Sequence, residues 1–523
     1  MFLGWFYRFP VGQEIVGRRE RNGRCGQYQR LLRYAVERNN SKEMSIKKNI
    51  AYNTILTISN IAFPIITTPY VSRILGVKNI GIVNFATTYA SYFVLFAALG
   101  IPIYGIREIA KHNSNLEDRC QVFSELFLIN CLSTATCFLL YLLTVFTIPA
   151  LYIERKFLLI VGISVLFVPL NTDWFFSGRE KFKFITIRSI AAKIISVGGL
   201  FIFVRTREDI IPYLALTIVA NLSSQIWNFG YMLRKEVKIR FKNLSIKKHL
   251  QSVLILFASN IAISIYTVLN TLLLGFMSDY TQVGYYTSAV KISKIILPVV
   301  TSMSPVMIAR INTLKGVTGN QEQISILLNR SFGFMMLLAV PATVGLIIIA
   351  PRFVPFFFGP EFIPAIPSLQ LLSLLIIIIG TANFFSSQIL LGMGFDKKVL
   401  IVVSLGTISS FCLNILLVGP YGSLGASIAS VIAELIVLIS AVIIVSRVMP
   451  VQINTKNIFQ PILAALPIIF ISFVFNHVIE YNFIYLLSTI TASAVFYLMI
   501  LVLIKNEHAI QMVNNVKELL RKI

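Results

Sequence analysis

Seven ionisable side chains stand inside or at the margins of long apolar runs: Arg73, Arg188, Lys193, Lys291 and Lys294 are basic, Asp173 and Glu434 acidic. A charge at bilayer depth costs about 2.5–3.5 kcal/mol on insertion scales, so each needs a partner or a watered surface. Lys291 and Lys294 are three residues apart, which places them on one helical face. Pro298 and Pro305 follow in the same run and predict kinks. At a rise of about 1.5 Å per residue, Lys291 lies about 12 Å and Lys294 about 17 Å from the end of that run. That is too deep for easy snorkelling to the headgroups, and Lys193 is similarly deep in its own run. Arg73 and Arg188 lie nearer run ends, where snorkelling competes with a functional role. Ammonium and guanidinium groups bind anionic oxygens through charge-assisted hydrogen bonds, so these residues suit a cationic cavity for an anionic cargo. Asp173, close to a run end, suits an ion pair with Arg179 or Arg188. Glu434 lies about 15 Å into its run and fits either a titrating coupling group or a lysine partner.

Nothing beside these residues supports catalysis. The chain has 4 His in all, and HExxH, GxSxG and P-loop patterns are missing. Cys25, Cys120, Cys131, Cys137 and Cys412 show no metal-ligand spacing and read as small packing residues. No metal or cofactor is called for. The net charge of +24 does not imply nucleic acid, because the basic residues fall in short segments between apolar runs.

The elements that must position these charges are membrane helices. Of 523 residues, 56% are apolar and 13% charged, with a mean hydropathy of +0.79; a soluble chain has about 25% charged residues. The apolar runs are continuous, not alternating ten-mers, so the fold class is all-α integral membrane rather than barrel. The runs predict about fourteen transmembrane helices, each of about 20 residues or more: near 51–75, 81–103, 121–148, 156–176, 184–204, 211–231, 250–277, 283–310, 328–350, 362–391, 398–418, 424–446, 457–476 and 482–504. Counted from Met44, one set of loops and span edges carries 26 Lys and Arg and the other set 6, which places both termini in the cytoplasm.

The chain also repeats itself. Ser59-Asn60-Ile61-Ala62 recurs as Ser259-Asn260-Ile261-Ala262, Leu75-Gly76 as Leu274-Gly275, and Gly81 as Gly284. The offsets of 200, 199 and 203 residues separate two stretches of six spans each, so the halves share one orientation. The resulting organisation is two parallel six-helix bundles, 44–231 and 250–446, joined by a basic connector at 232–249, with two extra helices and a cytoplasmic tail at 447–523. Residues 1–43 differ in composition, with 8 Arg and 1 Lys. They read as a basic N-terminal extension or as a start assigned too early, Met44 being the alternative.

Several segments resemble signatures of the polysaccharide transporter family in the MOP flippase superfamily. Pro69-Tyr70-Val71-Ser72-Arg73-Ile74-Leu75-Gly76 followed by Gly81 is similar to that family's first-helix signature. Asp173-Trp174-Phe175-Phe176-Ser177-Gly178-Arg179-Glu180 with Phe182 and Lys193 resembles its link between spans four and five, and Val283-Gly284-Tyr285-Tyr286 with Lys291 its eighth span. Gly359-Pro360-Glu361-Phe362, and Asn414 with Pro420 through Ala426 and Glu434, resemble later signatures. The resemblance covers 44 to about 505, and residues 1–43 have no counterpart in it. It implies a Wzx-type flippase in the bacterial inner membrane. The implied cargo is an undecaprenyl-diphosphate-linked oligosaccharide for O-antigen, capsule or exopolysaccharide synthesis. The implied partners are that lipid-linked oligosaccharide, membrane lipids and glycan-assembly proteins. Lysine and arginine can then take the diphosphate, while Ser59, Asn60, Ser259 and Asn260 either meet sugar hydroxyls or serve packing between helices. A MATE-like multidrug exporter is the nearest alternative, but organic cations call for acidic or aromatic cavity residues. A membrane-embedded glycan polymerase or glycosyltransferase is the enzymatic alternative, and the short loops weigh against it.

Overall fold

The computed structural model describes residues 25–113, 115–240, 244–315, 321–449 and 452–520. Among them the regular structure is helical throughout: α1 (Cys25–Ala98), α2 (Ile101–Lys111), α3 (Leu116–Thr147), α4 (Arg155–Leu166), α5 (Asp173–Gly178), α6 (Phe182–Phe203), α7 (Ile210–Lys235), α8 (Lys247–Met277), α9 (Tyr280–Val300), α10 (Ser304–Lys315), α11 (Gln321–Phe357), α12 (Ile366–Ser373), α13 (Leu375–Asn383), α14 (Asp396–Val448), α15 (Lys456–Val478), α16 (Asn482–Leu503) and α17 (Glu507–Leu520). Ten of the described helical runs are long and apolar enough to cross a bilayer, or 11 with the pair α4 and α5, which bend by 41° at their break. Two of the ten, Ala51–Lys111 and Asp396–Val448, are 61 and 53 residues long. Each contains a glycine with positive φ, Gly76 at 75° and Gly422 at 52°, where the helix breaks. The side chains of 259–267 in α8 lie outside the described residues, Ser259 and Asn260 among them. The ten runs include two that each join two of the fourteen expected spans across such a glycine, and α8 is not among the ten because part of it lies outside the described residues. Residues 25–43 are the beginning of α1, and 1–24 lie outside the description.

The outer surface is apolar, and hydroxyls and amides are buried beside the apolar core. In α16, Phe483, Leu487, Ile490 and Leu503 are exposed, whereas Tyr485, Thr489, Ser493 and Tyr497 are buried. Lipid tails solvate the outer face, so the interior can hold hydroxyls that bond between helices. Ser472 and Tyr485 do so at 2.6 Å, and the Tyr497 hydroxyl donates to the Leu337 carbonyl at 3.0 Å. A larger buried network joins α8, α9 and α14. The Asn270 amide donates to Tyr286 Oη at 2.9 Å and Ser430 Oγ at 2.7 Å, and its oxygen accepts from Asn414 at 2.9 Å.

Local chemistry sets the helix ends. Asn115 caps α3 by accepting from the Glu117 N–H at 2.9 Å, with Glu117 and Asp118 in the first turn. Asp279 caps α9 through the N–H groups of Thr281 at 2.6 Å and Gln282 at 3.0 Å. Downstream of Lys294 the chain leaves helix between Val300 and Ser304, and α10 restarts with Pro305 in its first turn. A proline fits there because its missing N–H would have had no helical partner. The expected disturbance near Pro305 is thus a complete break, while Pro298 stays inside α9.

Candidate functional site

The limb of α1 between Gly76 and Ala98 is about 33 Å long at 1.5 Å per residue, and polar clusters mark both its ends. At the Gly76 end, Arg207 pairs with Glu361. The Val77 N–H points at the same carboxylate, 3.4 Å away, and the Asn79 amide donates to the Arg207 carbonyl at 2.8 Å. The loop carrying Arg207 is itself pinned. Asp209 accepts from the backbone N–H groups of Arg205 at 2.9 Å and Thr206 at 2.7 Å, and these donors hold its carboxyl below the usual range. Just past the opposite end, Tyr104 Oη lies 2.8 Å from His249 Nδ1, and His249 Nε2 lies 2.8 Å from Glu125 Oε2. Lys248 Nζ is 2.8 Å from the same Glu125 oxygen, while the other accepts from the Ser245 N–H at 2.8 Å. Glu125 and His249 are 0% and 2% exposed as side chains, so the carboxylate and the imidazole are enclosed, while the Lys248 side chain reaches the surface.

Between these ends lie the basic residues singled out by the sequence. Lys291 on α9 is half-buried and its ammonium donates to Thr68 Oγ1 at 3.2 Å. It lines a cavity of ≈ 20 Å³ with Thr68, Ser72, Asn84, Tyr213 and Thr287. That volume holds about one water and no sugar phosphate. Lys193 on α6 is bonded to Asn60 and, at 3.0 Å, to Ser59 Oγ, and its ammonium lies 5.7 Å from the Phe63 ring centroid. Both lysines therefore dock on α1, with contact points about 12 Å apart along the helix and Pro64 between them. Arg73, also on α1, donates to the Phe356 carbonyl. Lys294 is exposed.

The fifth cation is occupied. Arg188 donates to Asp173 Oδ1 at 2.6 Å and to the Ser224 carbonyl, and the Asn228 amide donates to the same Asp173 oxygen at 2.7 Å. Of the two arginines that the sequence offers to Asp173, the structure selects Arg188, and Arg179 instead bridges Asn113 and Glu236. Glu434 is half-buried on α14, one turn beyond Ser430 of the buried network. The structure thus brings Lys193, Lys291 and Arg73 to one helix, sets Arg188 and Asp173 apart as a pair, and leaves Lys294 on the surface.

Two groups escape the sequence reading. Glu125 was legible as a carboxylate inside a predicted span, by the same test that finds Glu434. Arg207 and Glu361 sit in predicted loop or span-end positions 154 residues apart, and nothing local links them.

The family model described as "Polysaccharide biosynthesis protein" matches residues 46–314. The curated protein "Putative O-antigen transporter" of Escherichia coli (strain K12) is 26% identical over 425 residues, covering 76% of this chain and 96% of that one. A protein of the same description from Shigella dysenteriae is 25% identical over 404 residues, covering 75% and 98%. Among solved structures, "Lipid II flippase MurJ, inward closed conformation" aligns with a TM-score of 0.71 at 17% identity, over 86% of this chain and 98% of that chain. An inward-facing MATE family transporter of the MOP superfamily aligns with a TM-score of 0.56 at 14% identity, over 76% and 98%. With more than half of its length matched by the family model and its fold shared with these transporters, the chain belongs to the polysaccharide biosynthesis protein family and is built on the MOP-superfamily fold.

Proposed function

We propose that this protein is a flippase that carries a polyprenyl-diphosphate-linked oligosaccharide across the bacterial inner membrane. Two bundles, 44–231 and 250–446, would expose a shared cationic site to each side in turn, with the basic connector 232–249 and both termini in the cytoplasm. Under this topology the Arg207–Glu361 end faces outward and the Glu125–His249 end inward. The observation that carries the reading is the state of Lys291. Its ammonium sits deep in a membrane helix, and the partner the structure gives it is a neutral hydroxyl. Arg188, by contrast, is neutralised by Asp173. A cation held but not neutralised keeps its electrostatic attraction for an arriving diphosphate. The relatives named as O-antigen transporters and the lipid II flippase support the same cargo class. The ≈ 20 Å³ cavity at Lys291 belongs to a conformation closed around that residue, so binding requires the bundles to separate. Lys193, Arg73 and the exposed Lys294 would then complete the cationic surface, with Glu434 as a coupling group or lysine partner. A transporter rather than an enzyme is the reading favoured by these groups, and their basic character disfavours export of organic cations.

In a strain lacking this protein, lipid-linked oligosaccharide is expected to accumulate on the cytoplasmic leaflet with its sugar chemistry complete. Normal outer-leaflet appearance of that lipid in the same strain would remove the flippase reading. Sidedness has its own test in a cysteine-free background. Ser278→Cys is expected to react with an impermeant thiol reagent in intact spheroplasts and Arg234→Cys to be protected until lysis. The opposite pattern would invert the topology.

A further inference from the structure

We infer that the outward seal of this protein is a self-complementary crossing of repeat-related residues on α1 and α9, placed one helical turn outside Lys291. Three pairs build it: Val77 with Tyr280, Gly81 with Gly284, and Asn84 with Thr287, each separated by 203 residues. In each helix the three positions are spaced i, i+4, i+7 and so form one face. The two faces meet reciprocally. A Cβ on Gly81 would overlap the carbonyl oxygen of Tyr280, and a Cβ on Gly284 would overlap the carbonyl oxygen of Val77. The Asn84 amide then donates to Thr287 Oγ1 at 2.8 Å. Residue i meets the partner of j while j meets the partner of i, which is the signature of a two-fold contact. Here the axis relates two halves of one chain.

Three consequences follow from the chemistry. The helices can approach this closely only because both crossing residues lack a side chain, so the contact is a backbone-to-backbone stop that excludes water. Small-residue crossings of this type associate by packing rather than by strong polar bonds, so the seal can part at modest cost. One hydrogen bond, Asn84 to Thr287, holds its inner edge. The Arg207–Glu361 pair and its Val77 N–H contact hold its rim.

The next position on the same face of α9 is Lys291, about 6 Å further in, and Asn84 and Thr287 both line its cavity. Its repeat counterpart on α1 is Thr88, so the cation exists in one half only. Parting the crossing therefore opens the outer side directly onto Lys291. This assignment rests on the alternating-access reading above, and its test is chosen to separate the two.

The readout is thiol chemistry at Ser288→Cys, a buried residue lining the Lys291 cavity, in an otherwise cysteine-free full-length chain in right-side-out membranes. With native glycines, labelling by an impermeant reagent is expected to be slow. Gly81→Ala and Gly284→Ala should each raise the rate about tenfold by disfavouring the closed state, and should do so alike because the contact is reciprocal. Gly345→Ala serves as control, since a methyl there meets nothing within 4 Å.

A second arm does not depend on tolerance of a clash. Asn84→Cys with Thr287→Cys should cross-link under mild oxidation, suppress labelling at Ser288→Cys, and abolish surface glycan until a reductant is added. Labelling at Ser288→Cys that ignores both alanines, or that continues unchanged through the oxidised cross-link, would overturn the seal. Labelling that responds as described while surface glycan stays normal in every variant would leave the seal standing and sink the flippase reading.

Discussion

Lys291→Gln is expected to abolish surface glycan while the protein still accumulates in the membrane. Glutamine is close to lysine in length and can keep a hydrogen bond to Thr68, now held by the ammonium at 3.2 Å. Removing the charge also removes the cost of holding it within the bilayer, so folding should not suffer. What is lost is the attraction for the diphosphate. A hydrogen bond to a charged group contributes about 1.5–3 kcal/mol, equivalent to about 10–150-fold in binding. Lys291→Arg keeps the charge but spreads it over a planar fork, so partial export is the expected outcome. The measurement is surface polysaccharide in a deletion strain complemented with each variant, with membrane abundance followed in parallel. Wild-type glycan from Lys291→Gln combined with Lys294→Gln would assign both lysines a purely structural role.

Glu125→Ala is expected to lower stability by about 3–5 kcal/mol, the range for removing one member of a buried charged group. The carboxylate accepts from His249, Lys248, the Ser245 N–H and, at 3.2 Å, Gln121. Alanine leaves an enclosed imidazole and a backbone N–H without an acceptor and uncouples α3 from the start of α8. The check is the thermal unfolding midpoint in detergent. Glu117→Ala provides the contrast, because Glu117 pairs with Arg240 at 3.2 Å with both side chains more than half exposed. An exposed pair of that kind contributes about 0–1 kcal/mol. Equal midpoints for Glu125→Ala and the wild type would show that the cluster does not hold the helices together.

The boundary between what could be read from the residues and what could not follows the range of the physics. Helix by helix, the membrane character was legible because bilayer insertion is decided over about 20 contiguous residues. The lysines deep in α6 and α9 were legible for the same reason, since their cost is set by position within one span. The repeat was also legible, and one of its matched pairs, Gly81 and Gly284, proves to be a point of contact. Hydropathy could not say that the pair would touch, because a shared offset carries no information on how two segments pack. The breaks at Gly76 and Gly422, by contrast, fall between expected spans, 51–75 from 81–103 and 398–418 from 424–446. At each of them a glycine takes the positive φ that ends one helix and starts the next.

The partner of each charge was decided only in three dimensions. Asp173 could choose Arg179 or Arg188, and the packing of α5 on α6 placed Arg188 at 2.6 Å. Lys193 and Lys291 both rest on α1, although 134 and 223 residues separate them from their partners Ser59 and Thr68. A buried charge demands a partner wherever the fold can supply one, and the identity of that partner depends on how helices cross. Sequence spacing encodes the face a residue occupies along one helix; which face of another helix comes to meet it is settled by the close packing of the whole bundle.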